Sequence, residues 1–285
     1  MEKDIKFVRS LEKGFEDYYD IAALSPEDFT FLSPSNFPDW CSKTAKWLCE
    51  GKRIGEIGTG KGELAHLTAS YANKELYFLL IDISSKMLDV TCQKVEKLEK
   101  SFITIKCFNL DISKKLPKLL FNHNLDKLIA VNTLQDAEPL NSLLNMKLLL
   151  KQGGEIRLTF ISKETQDEFS KEDYNYNSLQ GIWYASSSFH EGKEASPLGY
   201  IKDREGNEKP FYRINRFYTR SDACQLLENA GFKVKSVEPV IYPLDYLWKR
   251  WKSRYHSINL TEKQLKLIES WGGYPDGWDI IATAI

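Results

Sequence analysis

Three carboxylates stand where apolar segments end in the first half of this 285-residue chain: Glu56, Asp82 and Asp111. A glycine-rich loop at 58–62 follows the first of them and leads into a helical pattern. Apolar segments that alternate with helical patterns predict the parallel strands of an α/β sheet. The carboxyl ends of such strands share one edge, where proteins of this kind bind their ligands. The chemistry of the chain is therefore expected at that edge.

The glycine loop has the order Glu56-x-Gly58-x-Gly60-x-Gly62, and its glycines let the backbone turn sharply and approach a ligand closely. Glu63 occupies the position where the dinucleotide fingerprint G-x-G-x-x-G needs its last glycine, and the phosphate-binding pattern G-x-x-x-x-G-K-[ST] has no match. The Glu56 carboxylate would also repel a pyrophosphate at close range. This acid suits a ligand that carries positive charge.

Asp82 follows the last loop glycine by about twenty residues, where an acid commonly binds a pair of ribose hydroxyls. At this point the chain resembles the class I S-adenosylmethionine-dependent methyltransferases, over residues 50–162 and 217–285, and the glycine motif matches that family's first motif. The resemblance implies S-adenosylmethionine as the cofactor. It implies that Asp82 binds both ribose hydroxyls, that Asp111 receives the adenine amino group and that Met87 contacts the adenine. The alternatives are a Rossmann-like turn that binds another nucleotide and, for Met87, a plain core position.

The leading segment carries a further part of the resemblance. In small-molecule members of the family a Tyr-Asp pair lies near the methionine end of the cofactor, and Tyr19-Asp20 looks like that pair. A tyrosine that packs a covering helix is the alternative. Asn132 either contacts the methionine moiety or closes the end of the fourth strand. The predicted cofactor-binding residues are Tyr19, Glu56, Gly58, Thr59, Gly60, Gly62, Asp82, Ile83, Met87, Asp111, Ile112 and Asn132.

The fourth strand ends in Ala130-Val131-Asn132-Thr133-Leu134-Gln135-Asp136. This differs from the Asn/Asp-Pro-Pro-aromatic motif of family members that methylate planar amino groups of DNA bases or glutamine, which argues against such substrates. Methyl transfer is an in-line displacement, and the protein mainly positions the reactants and excludes water. A base is needed only when the nucleophile must lose a proton early. The candidate catalytic residues are His190, Tyr184 and Asp136, although Asp136 also suits a helix cap before Pro139.

The alternation predicts an α/β fold with a mostly parallel sheet and helices on both faces, and the resemblance implies a Rossmann-like sheet of seven strands whose last strand is antiparallel. A late helix ends at Gly231 and leads into a sixth strand, and the resemblance inserts the seventh, 278–285, between strands five and six. The first five strands are predicted near 53–58, 76–82, 103–111, 126–134 and 154–162. The helices that accompany them are predicted near 37–50, 61–73, 85–100 and 139–151.

The chain is expected to divide into four parts. A capping segment covers 1–36, the cofactor-binding core covers 37–162, and a lid insertion covers 163–216. The rest of the core follows at 217–285, with a helical insert at 244–271. Insertions of this length tend to be lids or binding elements. The lid insertion is rich in aromatic side chains, each of which stabilises a cation such as a sulfonium by about 0.5–2 kcal/mol.

Two stretches outside the core have patterns of their own. Arg204-Glu205-Gly206-Asn207 is typical of a hairpin turn between strands at 199–203 and 209–214. Residues 247–256 mix aromatic and basic side chains. They form either a patch for an acidic partner or RNA, or an amphipathic surface helix with solvated charges.

Composition narrows the expected partners and compartment. The formal net charge is −1, so no global basic footprint points to nucleic acid, and a small-molecule substrate is expected. The five cysteines form no C-x-x-C pair, and Cys107 and Cys224 fall in apolar patterns typical of buried free thiols. This predicts a reducing, cytoplasmic compartment and no metal site. No apolar run approaches the ~20 residues of a membrane span, and the oligomeric state is not indicated.

Three functions are open at the level of sequence. The first is methyl transfer from S-adenosylmethionine to a small molecule. The second is another reaction of the same cofactor, in which its own amine or carboxylate attacks the carbon beside sulfur and causes cyclisation or lysis. The third is a non-catalytic, cofactor-binding regulatory subunit. The intact glycine motif and the carboxylates Asp82 and Asp111 argue against a site that has lost its cofactor.

Overall fold

The computed structural model describes residues 19, 20, 23, 38–121, 123–169, 175–177, 182–186, 199–202, 208–211, 214–242, 261–271 and 273–285. Its helices are α1 (Pro38–Cys49), α2 (Glu63–Tyr71), α3 (Ser85–Glu96), α4 (Pro139–Leu149), α5 (Lys163–Phe169), α6 (Arg220–Asn229) and α7 (Glu262–Trp271). Its strands are β1 (Arg53–Ile57), β2 (Leu76–Asp82), β3 (Ile103–Asn109), β4 (Leu125–Val131), β5 (Leu150–Ile161), β6 (Asn175–Asn177), β7 (Ile182–Ser186), β8 (Gly199–Lys202), β9 (Glu208–Phe211), β10 (Ile214–Phe217), β11 (Phe232–Tyr242) and β12 (Tyr274–Ala284).

The main sheet has seven strands in the order β11-β12-β5-β4-β1-β2-β3. Strands β1 to β5 run parallel to their neighbours among themselves, and β12 is antiparallel to both β5 and β11. This confirms the predicted fold class and the insertion of the last strand beside the fifth. The chain winds outward from β1 to β3 and then returns to β4 on the other side of β1. The loops after β1 and β4 therefore open side by side, at the switch point where such sheets bind ligands.

Helices cover both faces of the sheet, each over its own apolar cluster. One cluster joins α1, α2 and α3 to strands β1, β2 and β4 through buried side chains such as Leu48, Leu64 and Phe78. The other joins α4 and α6 to β4, β5 and β12 through side chains such as Leu143 and Leu227. Burial on both faces explains why the central strands are almost continuously apolar in sequence.

The predicted helix boundaries rest on hydrogen bonds from cap residues. The Ser84 hydroxyl accepts the N–H of Met87 at 3.1 Å and starts α3. Thr219 and Asp222 form a reciprocal capping box at the start of α6. Gly231 ends that helix with φ +81°, a left-handed conformation that glycine adopts without strain.

The fifth strand starts earlier than predicted, at Leu150. Leu150 already pairs with Leu125 of β4, and a register shift follows between Leu125 and Lys127. Gly153 and Gly154 are typical of a turn by sequence alone, whereas here they lie inside an irregular strand. The pairing with β4 overrides the local turn preference.

The insertion contributes two small sheets. Strands β8 and β9 pair antiparallel, as predicted for the two strands of the hairpin, and the predicted turn at 204–207 lies outside the described residues. The extension of that hairpin to Ile214 is wrong, because Ile214 begins β10 and pairs with Ser186 of β7. Strand β7 also pairs with β6, so β10, β7 and β6 form a three-stranded sheet. Of the predicted helical insert, α7 lies within the described residues, and the aromatic and basic stretch 247–256 lies outside them.

The cysteines depart from the prediction. Cys107 is exposed on β3, at the edge of the sheet, and forms a disulfide with Cys92 of α3. The expectation of a buried free thiol at Cys107 is therefore wrong, because the edge strand is covered on fewer sides than the central ones. Cys41, Cys49 and Cys224 form no disulfide among the described residues. Since disulfides persist in oxidising surroundings, the cysteines do not support the predicted reducing compartment.

A buried ion pair on the α1 face gives a test of the fold. Arg157 of β5 donates to both carboxylate oxygens of Asp279 on β12, at 2.9 and 2.5 Å, and its guanidinium lies 5.0 Å from the ring of Trp40. Asp279→Ala is expected to lower the free energy of unfolding by about 2–3 kcal/mol, because a partly buried guanidinium would lose its buried counter-charge. Urea unfolding measures this. The matched control is Lys235→Met, which breaks a half-exposed pair with Glu155 and is expected to change stability by less than about 1 kcal/mol.

Candidate functional site

The loop after β1 is held in a conformation that only glycine adopts easily. Gly58, Gly60 and Gly62 have φ values of +70°, +52° and +77°. A Cβ on Gly58 would lie 2.4 Å from the Thr133 hydroxyl oxygen, and one on Gly62 would lie 2.7 Å from that of Thr91. A Cβ on Gly60 would meet no described atom within 4 Å. The backbone at Gly60 therefore faces open space that a ligand can fill.

Two threonines that the sequence analysis missed hold this loop from opposite sides. Thr133, directly after β4, donates its hydroxyl to the carbonyl of Ile57 at 3.0 Å. Thr91 of α3 donates its hydroxyl to the carbonyl of Gly60, also at 3.0 Å. In the sequence, Thr91 could have been found as a polar residue on the apolar face of a helix. Thr133 could have been found as a polar residue at the end of a strand.

Asp82 is buried at the end of β2 and fixes the glycine loop. One carboxylate oxygen accepts the N–H of Gly60 at 3.0 Å and the hydroxyl of Thr59 at 3.4 Å. The other oxygen accepts the N–H of Ser84 at 2.9 Å. Burial raises the pKa of Asp82 to about 6, although the hydrogen bonds from Ser84, Gly60 and Thr59 act in the opposite direction.

Glu56 is the second buried carboxylate of the site. It lies on β1 between β2 and β4, and it is 3 % exposed. Its Oε2 atom has no hydrogen-bond partner within the described part of the chain. Burial, followed by the nearby carboxylates of Glu63 and Asp82, raises the pKa of Glu56 well above its ordinary value. An unpartnered buried acceptor costs roughly 1–3 kcal/mol, which a donor from a bound ligand would offset.

Asp111 lies beyond the end of β3 and already has local partners. The N–H and hydroxyl of Ser113 donate to one of its oxygens at 3.0 and 2.6 Å, and Lys114 pairs with the other at 3.1 Å. Asn109, which the sequence analysis did not single out, donates its amide to the carbonyl of Ile83 at 2.6 Å. The ends of β2 and β3 are thereby tied together beside Asp111.

The two apolar candidates differ in their surroundings. Met87 of α3 is 4 % exposed and belongs to neither apolar cluster of the described residues. Ile112 is equally buried but belongs to the cluster beneath α4. Both side chains are therefore buried, and their contact with a cofactor stays a prediction.

Asn132 closes β4 with an unusual backbone conformation. Its φ is +52°, a strained value for a residue with a side chain. Its N–H donates to the hydroxyl of Thr159 at 2.8 Å, and that hydroxyl donates to the Asn132 side-chain oxygen at 2.7 Å. Thr159 of β5 was not predicted. Strain held by two hydrogen bonds at a strand end is typical of functional sites.

Asp136 is not the helix cap that its position before Pro139 suggested. Glu138 caps α4, because its carboxylate accepts the N–H groups of Leu140 at 3.3 Å and Asn141 at 2.7 Å. Asp136 is instead buried, and its carboxylate accepts the hydroxyl of Tyr19. A carboxylate buried next to the switch-point loop belongs to the site and not to helix capping.

Tyr19 and Asp20 bring the leading segment to the same edge of the sheet. The Tyr19 hydroxyl reaches Asp136 after β4, and the Asp20 carboxylate accepts the Ser84 hydroxyl at 2.6 Å after β2. Strand β1 lies between β4 and β2. Two adjacent residues therefore bridge the strand ends on either side of the glycine loop.

The remaining catalytic candidates come from the insertion. The backbone of Tyr184 lies on β7, opposite Arg216 of β10, while its side chain lies outside what the structure describes. His190 lies outside the described residues altogether. Of the three candidates, Asp136 is thus the one whose side chain the structure places at the strand ends.

The fold and this edge define a class of protein: an α/β protein with a nucleotide-cofactor site between a glycine loop and buried carboxylates. A family profile described as a methyltransferase domain matches residues 49–231, more than half of the chain. The chain belongs to this family, the class I S-adenosylmethionine-dependent methyltransferases. It is accordingly an S-adenosylmethionine-dependent transferase. Comparison with curated protein sequences gave no significant match.

Solved structures share the fold at low sequence identity. The CcbJ methyltransferase from Streptomyces caelestis is 14% identical with a TM-score of 0.55, over 96% of this chain and 99% of that one. Magnesium protoporphyrin IX methyltransferase (ChlM) from Synechocystis PCC 6803 with bound SAH is 14% identical with a TM-score of 0.52, over 100% of both chains. The [4+2]-cyclase SpnF is 15% identical with a TM-score of 0.54, over 96% of both chains.

Two further properties of the described residues concern membranes and metal ions. None of their helices is long and apolar enough to cross a membrane. Among the same residues, no group of three or more His, Cys, Asp and Glu side chains could hold a metal ion.

The loop geometry predicts different effects for two alanine substitutions. Gly62→Ala is expected to destabilise the protein by about 2 kcal/mol or more, because left-handed strain adds to a clash with Thr91. Gly60→Ala is expected to destabilise it by about 1 kcal/mol, since strain acts there without a clash. Chemical denaturation of both variants measures the difference. Equal losses would show that Thr91 does not confine the loop.

The raised pKa of Asp82 predicts a pH-dependent stability. Its stabilising contribution is complete below its ordinary pKa of 3.8 and is lost as the pH rises through about 6, because the unfolded chain releases the proton first. Between pH 4 and 7 the ligand-free protein is expected to lose about 2–3 kcal/mol more stability than Asp82→Asn does. Urea unfolding across this range tests it. If the free energy of unfolding changed equally with pH in the two proteins, the raised pKa assigned to Asp82 would be wrong.

Proposed function

We propose that this transferase methylates a small molecule and encloses its cofactor beneath the leading segment and the insertion. The observation that carries the proposal is the bridge that Tyr19 and Asp20 make across the strand ends on both sides of the glycine loop. A site covered by the chain's own segments admits a small acceptor more readily than a folded macromolecule. The expected boundaries of these covering segments, 1–36 and 163–216, form part of the proposal.

The residues at the strand ends fit S-adenosylmethionine. The unpartnered Oε2 atom of Glu56 suits the ammonium of the methionine moiety, and the open space above Gly60 suits close approach of the cofactor. Asp82 suits the ribose hydroxyls, since a buried carboxylate accepts two hydroxyl donors well. The adenine is assigned to Met87 and Asp111. The other proposed cofactor contacts are Tyr19, Gly58, Thr59, Gly62, Ile83, Ile112 and Asn132.

The cofactor supplies a methyl group on a sulfonium, which is electrophilic without further activation. The protein's own residues then have three tasks, which are to bind, to orient and to exclude water. Asp82 and the loop held by Thr133 and Thr91 orient the cofactor. Tyr19 contributes to the cover. His190 and Tyr184 are the proposed proton acceptors where the acceptor needs one, and Asp136 is the weaker candidate because its carboxylate already accepts the Tyr19 hydroxyl.

A cyclising or lytic use of the cofactor is the competing proposal, and Glu56 disfavours the route in which the cofactor's amine attacks. A carboxylate beside the cofactor's ammonium holds the proton on nitrogen, and a protonated amine is no nucleophile. Membership of the methyltransferase family does not support the alternative of a non-catalytic regulatory subunit. The fold alone does not decide, because it is shared with a [4+2]-cyclase. Product analysis with the cofactor alone separates the reactions, since a cyclase or lyase consumes it without an acceptor.

Calorimetry tests the cofactor site. The protein is expected to bind S-adenosylmethionine and SAH more tightly than NAD, because the unpartnered Glu56 oxygen suits the ammonium of the methionine moiety and Glu63 replaces the last glycine of the dinucleotide fingerprint. Asp82→Asn is expected to weaken SAH binding tenfold or more, since charge-assisted hydrogen bonds contribute about 1.5–3 kcal/mol. The control is Asp89→Asn, which removes an exposed carboxylate of α3. Tighter NAD binding, or equal effects of the two substitutions, would refute the proposed site.

A further inference from the structure

The short turn 132–136 after β4 is the meeting point of several segments. At one end, Thr133 donates to Ile57 before the glycine loop. At the other end, the carbonyl oxygens of consecutive residues accept hydrogen bonds from the chain that returns from the insertion. Tyr218 donates its hydroxyl to the carbonyl of Leu134 at 2.8 Å.

Arg216 is the principal link from the insertion. It is 1 % exposed, and its guanidinium donates to the carbonyl oxygens of Asp136 at 2.8 Å and Gln135 at 3.5 Å. Both hydrogen bonds come from the Nη1 atom, which the rigid, planar guanidinium holds in a fixed direction. A lysine at the same position would keep the charge but not this geometry.

Arg216 also belongs to the small sheet of the insertion. It lies on β10 and pairs with Tyr184 of β7, while Phe217 pairs with Trp183. Strand β7, which carries the proposed lid residues, is therefore hydrogen-bonded to β10, whose Arg216 binds the turn 132–136. Displacement of this sheet has to move Arg216, and with it the Asp136 backbone.

Asp136 receives the leading segment on its other side. Its carboxylate accepts the Tyr19 hydroxyl, and the side-chain amide of Gln135 donates to the same oxygen at 3.3 Å. One residue thus meets the leading segment through its side chain and the insertion through its carbonyl. The bond from Arg216 to the Asp136 carbonyl is buried and the bond from Tyr19 is partly buried, so leaving either unmade is unfavourable.

We propose that Asp136 is a positioning residue that couples Tyr19 of the leading segment to Arg216 of strand β10, so that the two hold the turn 132–136 as one unit beside the cofactor loop. The proposal rests on the proposed function and adds to it, because two independent covers would enclose the site equally well. The coupling extends to the cofactor loop through Thr133. It assigns Asp136 a structural link between the covers and leaves proton transfer to other groups.

Hydrogen exchange of the ligand-free protein tests the coupling directly. Tyr19→Phe removes only the contact with the leading segment and is expected to raise the exchange rate at 182–186 severalfold. Asp136→Asn keeps the carbonyl that Arg216 grips and is expected to do the same. The matched control is Arg157→Lys, a buried arginine that pairs with Asp279 away from the turn. Exchange at 182–186 that stays at the parent rate in both test variants would overturn the proposal.

A double-mutant cycle in SAH affinity gives the second readout. Tyr19→Phe and Arg216→Lys are each expected to raise the dissociation constant about threefold to tenfold. The double variant is expected to resemble the worse single variant, because either change breaks the shared link. If the increases in the dissociation constant of the two single variants multiplied in the double variant, the coupling would be refuted. Failure of the parent protein to bind SAH would refute the proposed function instead, while the exchange experiment needs no ligand and still decides the coupling.

Discussion

The buried carboxylate of Asp82 is the interaction on which the site depends. It joins the end of β2 to the glycine loop through Gly60 and Thr59, and to the start of α3 through Ser84. A charge in this position is unfavourable without donors, and burial raises its pKa to about 6. The loop supplies those donors only in its left-handed conformation. The Asp82 carboxylate and the backbone conformation of the three glycines therefore stabilise each other.

Glu56 stands in contrast to Asp82. It is as deeply buried but has an oxygen without a partner among the described residues. Two buried carboxylates therefore lie at this edge of the sheet, one with hydrogen bonds to both oxygens and one with an oxygen that has no partner among the described residues. The turn 132–136 completes this edge, because it confines the loop through Thr133 and meets the covering segments through Asp136.

Much of the fold was predictable because local patterns and global topology agree. Apolar runs alternate with capped helices, which predicts a parallel sheet, and the family resemblance implied the place of the last strand. The departures occur where long-range pairing overrides local preference. Gly153 and Gly154 are typical of a turn but lie in β5, and Ile214 leaves the hairpin for a strand paired with β7. Cys107 is apolar by pattern, yet it lies exposed on an edge strand.

The sequence by itself determined the glycine motif, the carboxylates that end the strands and the family to which they belong, because these signals are local and depend on residue type and spacing. Only the tertiary structure decided that Thr91, Thr133 and Thr159 hold the site together. It also decided that Asp136 faces Tyr19 and leaves helix capping to Glu138. Such roles depend on pairs of residues far apart in the chain. The spacing of residues along the sequence does not predict which hydroxyl donates to which carboxylate after the strands have aligned in the fold.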